Sequence, residues 1–193
     1  MSVYEQMNLQ TQHTIQHALI TLIQQKDFSK ISVRDIAVEA GVNRGTFYFH
    51  FQDKYDLLEK IENRLLDELS QKITLLEPTI VLTEARQGEL SDFSKVIFHY
   101  IQQQESAFKA LLSKHSDFSF AKKLRKFFMD QFLSKYTDSY ILKGSTSVPN
   151  DYVAAFASSA FLGVIEHWLT TDEQDADTVA EYFIKTILLI QQI

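Results

Sequence analysis

The chain of 193 residues contains no cysteine. Disulfides, zinc–thiolate centres and cysteine nucleophiles are thereby excluded. Glycine and proline are scarce, at five and two residues. No stretch alternates apolar and polar residues with the period of a strand, so an all-α protein is expected. A basic excess is also missing. The net charge is −6, and residues 1–60 hold six Lys/Arg against seven Asp/Glu. A domain-wide basic footprint for nucleic acid is therefore absent, and any such contact must rest on a few local charges. No run reaches the roughly 18 apolar residues that a membrane helix needs. Met1 to Gln16 is mostly polar and does not read as a signal peptide. The expected location is the cytoplasm.

What is present is organised around Val33 to Lys54, VRDIAVEAGVNRGTFYFHFQDK. Ser32, with Asp35 three residues on, forms a capping-box pattern that starts a helix. Ile36, Ala37 and Ala40 give that helix a narrow apolar face. Gly41 stops it, since glycine enters the left-handed conformation without steric cost. Asn43 then caps a second short helix from Arg44 to about His50. Helix, short glycine-containing turn and helix make a helix-turn-helix. The second helix carries Phe47, Tyr48, Phe49 and, just beyond, Phe51, more rings than one face can bury. Its start, Arg44-Gly45-Thr46, packs poorly into a core but suits a major groove. Arg44 can donate two hydrogen bonds to guanine, and the Thr46 methyl can touch a thymine methyl. Gly45 lets the backbone come close. Tyr48, His50 and Lys54 offer donors for phosphates.

These residues resemble the TetR family of regulators. The likeness rests on Thr46-Phe47-Tyr48-Phe49-His50-Phe51 with Lys54, and on Ile36-Ala37 followed by Ala40-Gly41-Val42. It covers about residues 10–60; beyond them only length and helical pattern are similar. The resemblance implies that Arg34, Arg44, Gly45 and Thr46 face bases and that Tyr48, His50 and Lys54 hold phosphates. It also implies that Val42, Phe47 and Phe51 pack inward. Asn43 stands where serine is common, which keeps the cap. Phe49 stands where Tyr, Arg or Trp is frequent. With Ser32, Val33 and Phe49 added, these residues form the expected DNA-binding set. The expected partner is a double-stranded palindromic operator bound by a homodimer.

Along the chain, residues 1–8 read as a loose arm. Ile15, Ala18, Leu19, Leu22 and Ile23 mark a helix from about Leu9 to Lys26. Residues 1–52 form the expected DNA-binding domain and residues 53–193 an effector-binding and dimerisation domain. Asp53 can cap a long helix from Lys54 to about Leu76. Further helices are expected from Ser91, near Glu105 to Ser113, from about Asp117 to Ser139, from Pro149 to about Thr170 and from about Asp175 to Gln191. Residues 78–90 and 143–147 read as loops.

Phe98, Phe127, Phe128, Phe132, Phe161 and Trp168, with His99, Tyr100 and Gln131 as polar anchors, are the expected effector pocket. Its ligand would be small and apolar or amphipathic. The two last helices present the expected dimer face: Phe156, Ala157 and Ala160 from one, Val179, Phe183 and Ile187 from the other. Lys109, Lys114, Lys122, Lys123, Arg125 and Lys126 surround a single acid, Asp117. That stretch is a solvated face, a dock for an acidic partner protein or anionic ligand, or a second nucleic-acid surface. The partner reading is the alternative to effector control. Segment 163–169, Gly-Val-Ile-Glu-His-Trp-Leu, is similar to a subset of the family that includes activators working with a partner protein. His13 and His17 have metal-capable spacing but no third ligand, so no metal and no cofactor are expected. Glu166-His167 lacks a nucleophile or a phosphate-cradling glycine loop, and no enzyme is expected.

Overall fold

Helix α1 spans Val3–Gln25. It starts six residues earlier than the apolar stripe predicts, because Ser2 and Glu5 form a capping box. The Ser2 amide donates to Glu5 Oε2 at 2.7 Å, and the Glu5 amide donates to Ser2 Oγ at 3.2 Å. Residues 3–8 are thus helix rather than a loose arm. The computed structural model describes residues 2–74, 92–117, 119–136, 148–171 and 174–190, with side chains at 74, 92–94, 135–136 and 187–190 outside the description. Both expected loops, 78–90 and 143–147, lie outside the described residues, as does Ser91.

A 3-10 turn at Phe28–Lys30 follows α1. Then come α2 (Val33–Glu39), α3 (Arg44–His50), α4 (Lys54–Thr74), α5 (Asp92–Gln103), α6 (Glu105–Leu112), α7 (Ser119–Tyr136), α8 (Asn150–Thr171) and α9 (Ala176–Ile190). No strand occurs among the described residues. Asp53 caps α4 as expected, its Oδ1 accepting from the amides of Tyr55 and Asp56 at 2.8 Å each. Pro149 stands one position before α8 and offers its carbonyl to the amides of Tyr152 and Val153.

The chain divides into two compact units: Met1–Leu65 with Ser106–Phe120, and Leu66–Glu105 with Ala121–Ile193. In the first, Ile15, Leu19 and Ile23 of α1 meet Ile36, Ala37, Phe47 and Phe51 in a buried core. Segment 106–120 is bonded into this unit. Gln24 Nε2 donates to Ser106 at 3.0 and 3.1 Å, and the Phe28 amide donates to the His115 carbonyl at 2.8 Å. Ser119 Oγ donates to Glu62 Oε1 at 2.7 Å. Glu62 is almost wholly buried, so this bond offsets part of the cost of desolvating a carboxylate.

The second unit is centred on rings. Phe98 lies 5.4 Å from Phe161, 5.6 Å from Trp168 and 6.0 Å from Phe183. Phe161 also meets Phe128 at 4.5 Å and Phe183 at 4.8 Å. All are edge-on pairs, the arrangement favoured by ring quadrupoles. Helix α8 is long and apolar enough to cross a membrane by composition alone. Its inward face is Ala154, Ser158, Phe161, Leu162, Ile165, Trp168 and Leu169. Its outward face exposes Tyr152, Phe156, Ala160 and Gly163.

Candidate nucleic-acid interface

The reading helix is placed by short-range bonds. The Ser32 hydroxyl accepts from the Asp35 amide at 3.2 Å, and Asp35 Oδ2 accepts from the Ser32 amide at 2.9 Å. The Ser32 amide and then its hydroxyl, followed by the Lys26 ammonium, hold the Asp35 carboxyl down to a pKa of about 2. At the other end of α2 the Val42 amide donates to the Ala37 carbonyl and the Gly41 amide to the Val38 carbonyl. These two bonds form a Schellman motif, and Gly41 takes the left-handed conformation it requires, with φ of 65°. Two residues later Asn43 Oδ1 accepts from the Thr46 amide at 2.8 Å and starts α3.

Helix α3 then separates its rings by face. Phe47 and Phe51 are buried, while Tyr48 and Phe49 are exposed. Val42, Thr46 and His50 are half-buried. Arg44 and Gly45 lie at the exposed N-terminal end of α3, and Arg34 is exposed on α2. An added Cβ at Gly45 would stand 3.1 Å from the capping oxygen of Asn43, so glycine also protects the cap. Among the described residues neither Arg34 nor Arg44 has a hydrogen-bond or ion-pair partner. Asp27, Asp35 and Asp56 are each engaged by a lysine. Each of these pairs cancels one acid against one lysine, and two guanidiniums are left unpaired to act as local charges.

His50 is pushed below the ordinary histidine range by burial and then by the Lys60 cation. At neutral pH its ring adds no charge to this face and serves as a hydrogen-bonding group. Lys60 itself escaped the sequence reading. Its ammonium lies 3.3 Å from the His50 carbonyl, at the negative end of α3, and 5.1 Å from the Phe51 ring. Only its position on the following helix reveals this, and no local signal marks it.

Lys54 is a correction. The resemblance assigns it to phosphates, but its ammonium is held by three carbonyl oxygens: Phe28 at 2.9 Å, Ser29 at 3.2 Å and Ile31 at 2.8 Å. An ammonium has three protons, and all three are taken. Burial lowers its pKa. The residue staples α4 to the 3-10 turn.

In the second unit, three further expectations are corrected. His99 is an outer residue, with Nε2 3.0 Å from Asp177 Oδ1, and does not face the rings. Val179 is buried within the chain itself, which leaves it almost no surface for the expected dimer contact. Phe183 is half-buried against Phe98 and Phe161, so its ring belongs largely to the core. Tyr100 is buried with its hydroxyl donating to Glu68 Oε2 at 3.0 Å. Phe98, Phe128, Phe161 and Trp168 are buried, and Phe127, Gln131 and Phe132 are half-buried. Trp168 Nε1 donates to the Gln174 carbonyl at 2.8 Å, which satisfies its one polar atom. Phe156 and Ala160 are exposed and Ala157 is half-buried; the Ile187 side chain lies outside the described residues.

Known proteins share this fold. An uncharacterised HTH-type regulator of Bacillus subtilis, YxbF, is 21% identical over 161 residues, covering 82% of this chain. The chain spans only 39% of that protein's length. A TetR transcriptional regulator from Streptococcus agalactiae has the same fold, with a TM-score of 0.65 at 24% identity, over 96% of this chain and 97% of that one. A putative fatty acid metabolism regulator of Clostridium perfringens aligns with a TM-score of 0.70 at 18% identity, over 91% and 96%. The pattern of bacterial regulatory proteins of the tetR family matches residues 15–61. That of a transcriptional regulator C-terminal region matches residues 88–188, more than half of the chain. With the capped helix-turn-helix and its two unpaired arginines in place, the chain belongs to the TetR family of DNA-binding transcriptional regulators, which are not enzymes.

Proposed function

We propose that the chain is a cytoplasmic homodimer that binds a palindromic operator and responds to a small apolar or amphipathic effector. Residues 1–52 read the DNA, with Arg34, Arg44, Gly45 and Thr46 toward bases and Tyr48 and His50 toward phosphates. Residues 53–193 hold the effector and join the two copies. The dimer reading rests on the outward stripe of α8, where Phe156 is 61% exposed and Tyr152 69% exposed beside Ala160 and Gly163. Large rings left in water next to small residues fit a second helix packed closely against them. The effector reading rests on the ring cluster of Phe98, Phe128, Phe161, Phe183 and Trp168, because ligand sites in helical bundles form among apolar helices. Half-buried Gln131 and Phe132 on α7 supply a polar anchor and a gate.

A second reading has its own support. Lys122 and Arg125 on α7 are exposed and have no hydrogen-bond or ion-pair partner among the described residues. They suit an acidic partner protein that would replace the effector. Selection of an operator from random DNA, followed by calorimetric titration with apolar and amphipathic metabolites, separates the two. Effector control requires a compound that binds and changes operator affinity, with Phe132→Ala and Phe132→Trp altering that response. A panel in which nothing binds, with binding of an acidic partner abolished by Lys122→Glu, leaves the second reading.

A further inference from the structure

The 3-10 turn after α1 is gripped from two sides. On one side are the three carbonyls that hold Lys54, the first residue of α4 and only four positions beyond α3. On the other side is the turn between α6 and α7, in the segment that joins the first compact unit from far along the chain. His115 Nδ1 lies 2.8 Å from Asp27 Oδ1, and the His115 carbonyl accepts the Phe28 amide at 2.8 Å. Phe28, one of the three residues that offer carbonyls to Lys54, is thus also pinned by His115. Every member of this relay belongs to the first unit.

Hydrogen bonding from His115, and then the Lys30 contacts, lower the Asp27 pKa, so its carboxylate is ionised and can only accept. Nδ1 of His115 therefore carries a proton in either charge state of the ring. The ionised acceptor already makes this bond charge-assisted; a second proton at Nε2 would add the attraction of an ion pair. The way in is open, because His115 forms part of the wall of a cleft of about 440 Å³. The other charged and titratable groups around it are few. Lys30, the last residue of the 3-10 turn, is 3.1 Å from Asp27. Tyr55 faces the cleft from α4, with Lys54 beneath, and Lys114 and Asp117 flank His115 on its own turn. Asp117 Oδ1 accepts from the Ser119 amide at 3.0 Å.

We infer that His115 is a positioning residue for DNA binding. Through Asp27 and the Phe28–Ile31 carbonyls it sets the place of Lys54, and with it the approach of α3 to the groove, more firmly when the imidazole is charged. This rests on DNA binding alone and not on the effector or partner reading.

The test uses the full chain and a duplex selected from random DNA with the wild-type protein, at constant ionic strength, between about pH 5.5 and pH 8, where histidine changes charge. Wild-type affinity should rise toward low pH. His115→Ala should weaken binding about fivefold to tenfold, within the ordinary range of coupling between sites, and lose part of the pH dependence. In His115→Asn the side-chain amide reaches the Nδ1 position but cannot take a second proton. It should recover most of the loss at pH 8 and none of the pH response. His50 on α3 also titrates, so the readout is the difference between wild-type and His115→Asn profiles, with folding of each variant checked by circular dichroism. Unchanged affinity in His115→Ala would overturn the inference. So would an equal loss in the Ala and Asn variants with a wild-type pH profile, which is the signature of a merely structural contact.

Discussion

The Lys54 ammonium lies 2.9 Å from the Phe28 carbonyl oxygen and 4.7 Å from the centre of the Phe28 ring. One residue thus meets the cation with both its backbone and its aromatic face. The Tyr55 ring, edge-on to Phe28 at 5.4 Å, closes the group. The first residue of α4 is in this way part of the head's own packing.

Lys54→Ala should therefore act on folding first. Losing the charged donor leaves three carbonyls to find other partners, at a cost of about 1–3 kcal/mol. Thermal unfolding should shift downward by several degrees. Lys54→Met, which keeps the apolar stem, should lose nearly as much. The salt slope of DNA binding should stay as in the wild type, because no phosphate contact disappears. A flattened slope with unchanged unfolding would put Lys54 back on the phosphates.

Asp35 links the start of α2 to acid stability. Its carboxyl titrates at about 2 in the folded chain against an ordinary 3.8. A depressed carboxylate contributes stability above its unfolded value and loses it as pH falls through the folded one. Stability should therefore drop between about pH 3.8 and pH 2. Asp35→Asn should be less stable near neutrality and flatter across that window. Unfolding temperatures of both proteins, measured through the window, decide this; parallel curves would count against it.

Arg44 carries the strongest expectation for sequence reading. Arg44→Ala should relax base preference at one position per half-site and cost about 1–3 kcal/mol. Repeating operator selection with the variant makes the check. An unchanged consensus at unchanged affinity would remove Arg44 from the reading set.

The dimer is best probed away from Phe183, whose ring sits in the core. Phe156→Glu should give monomers that keep the fold and lose most operator affinity. At Gly163 an added Cβ meets nothing within 4 Å, so the protomer tolerates a side chain there. Gly163→Leu should leave unfolding of the protomer nearly unchanged while weakening association. Sedimentation across a concentration series reads both. A wild type that stays monomeric at micromolar concentrations would end the homodimer proposal.

The sequence by itself determined the local devices of this protein. The Ser32–Asp35 box, the Gly41 stop, the Asn43 cap and the Asp53 cap join residues two to five positions apart. Such contacts are written in the order of residue types. The inward placing of Phe47 and Phe51 followed from the same helix, which has only one side free for a core. Other features were decided by tertiary structure alone. Helix α8 is apolar on both faces, so periodicity could not tell which rings turn inward. Its neighbours chose Phe161 and Trp168 and left Phe156 in water. Val179 and Phe183 on α9 were misplaced because their orientation depends on which helices pack against them, whereas His99 lies off the apolar stripe of its own helix, Ile97, Tyr100 and Ile101. Lys54 and His115 depended on partners 23 to 26 and 88 residues away. A lysine beside a reading helix looks like a phosphate ligand until folding brings three carbonyls to its ammonium. Those carbonyls belong to a turn whose backbone the side-chain pattern does not describe.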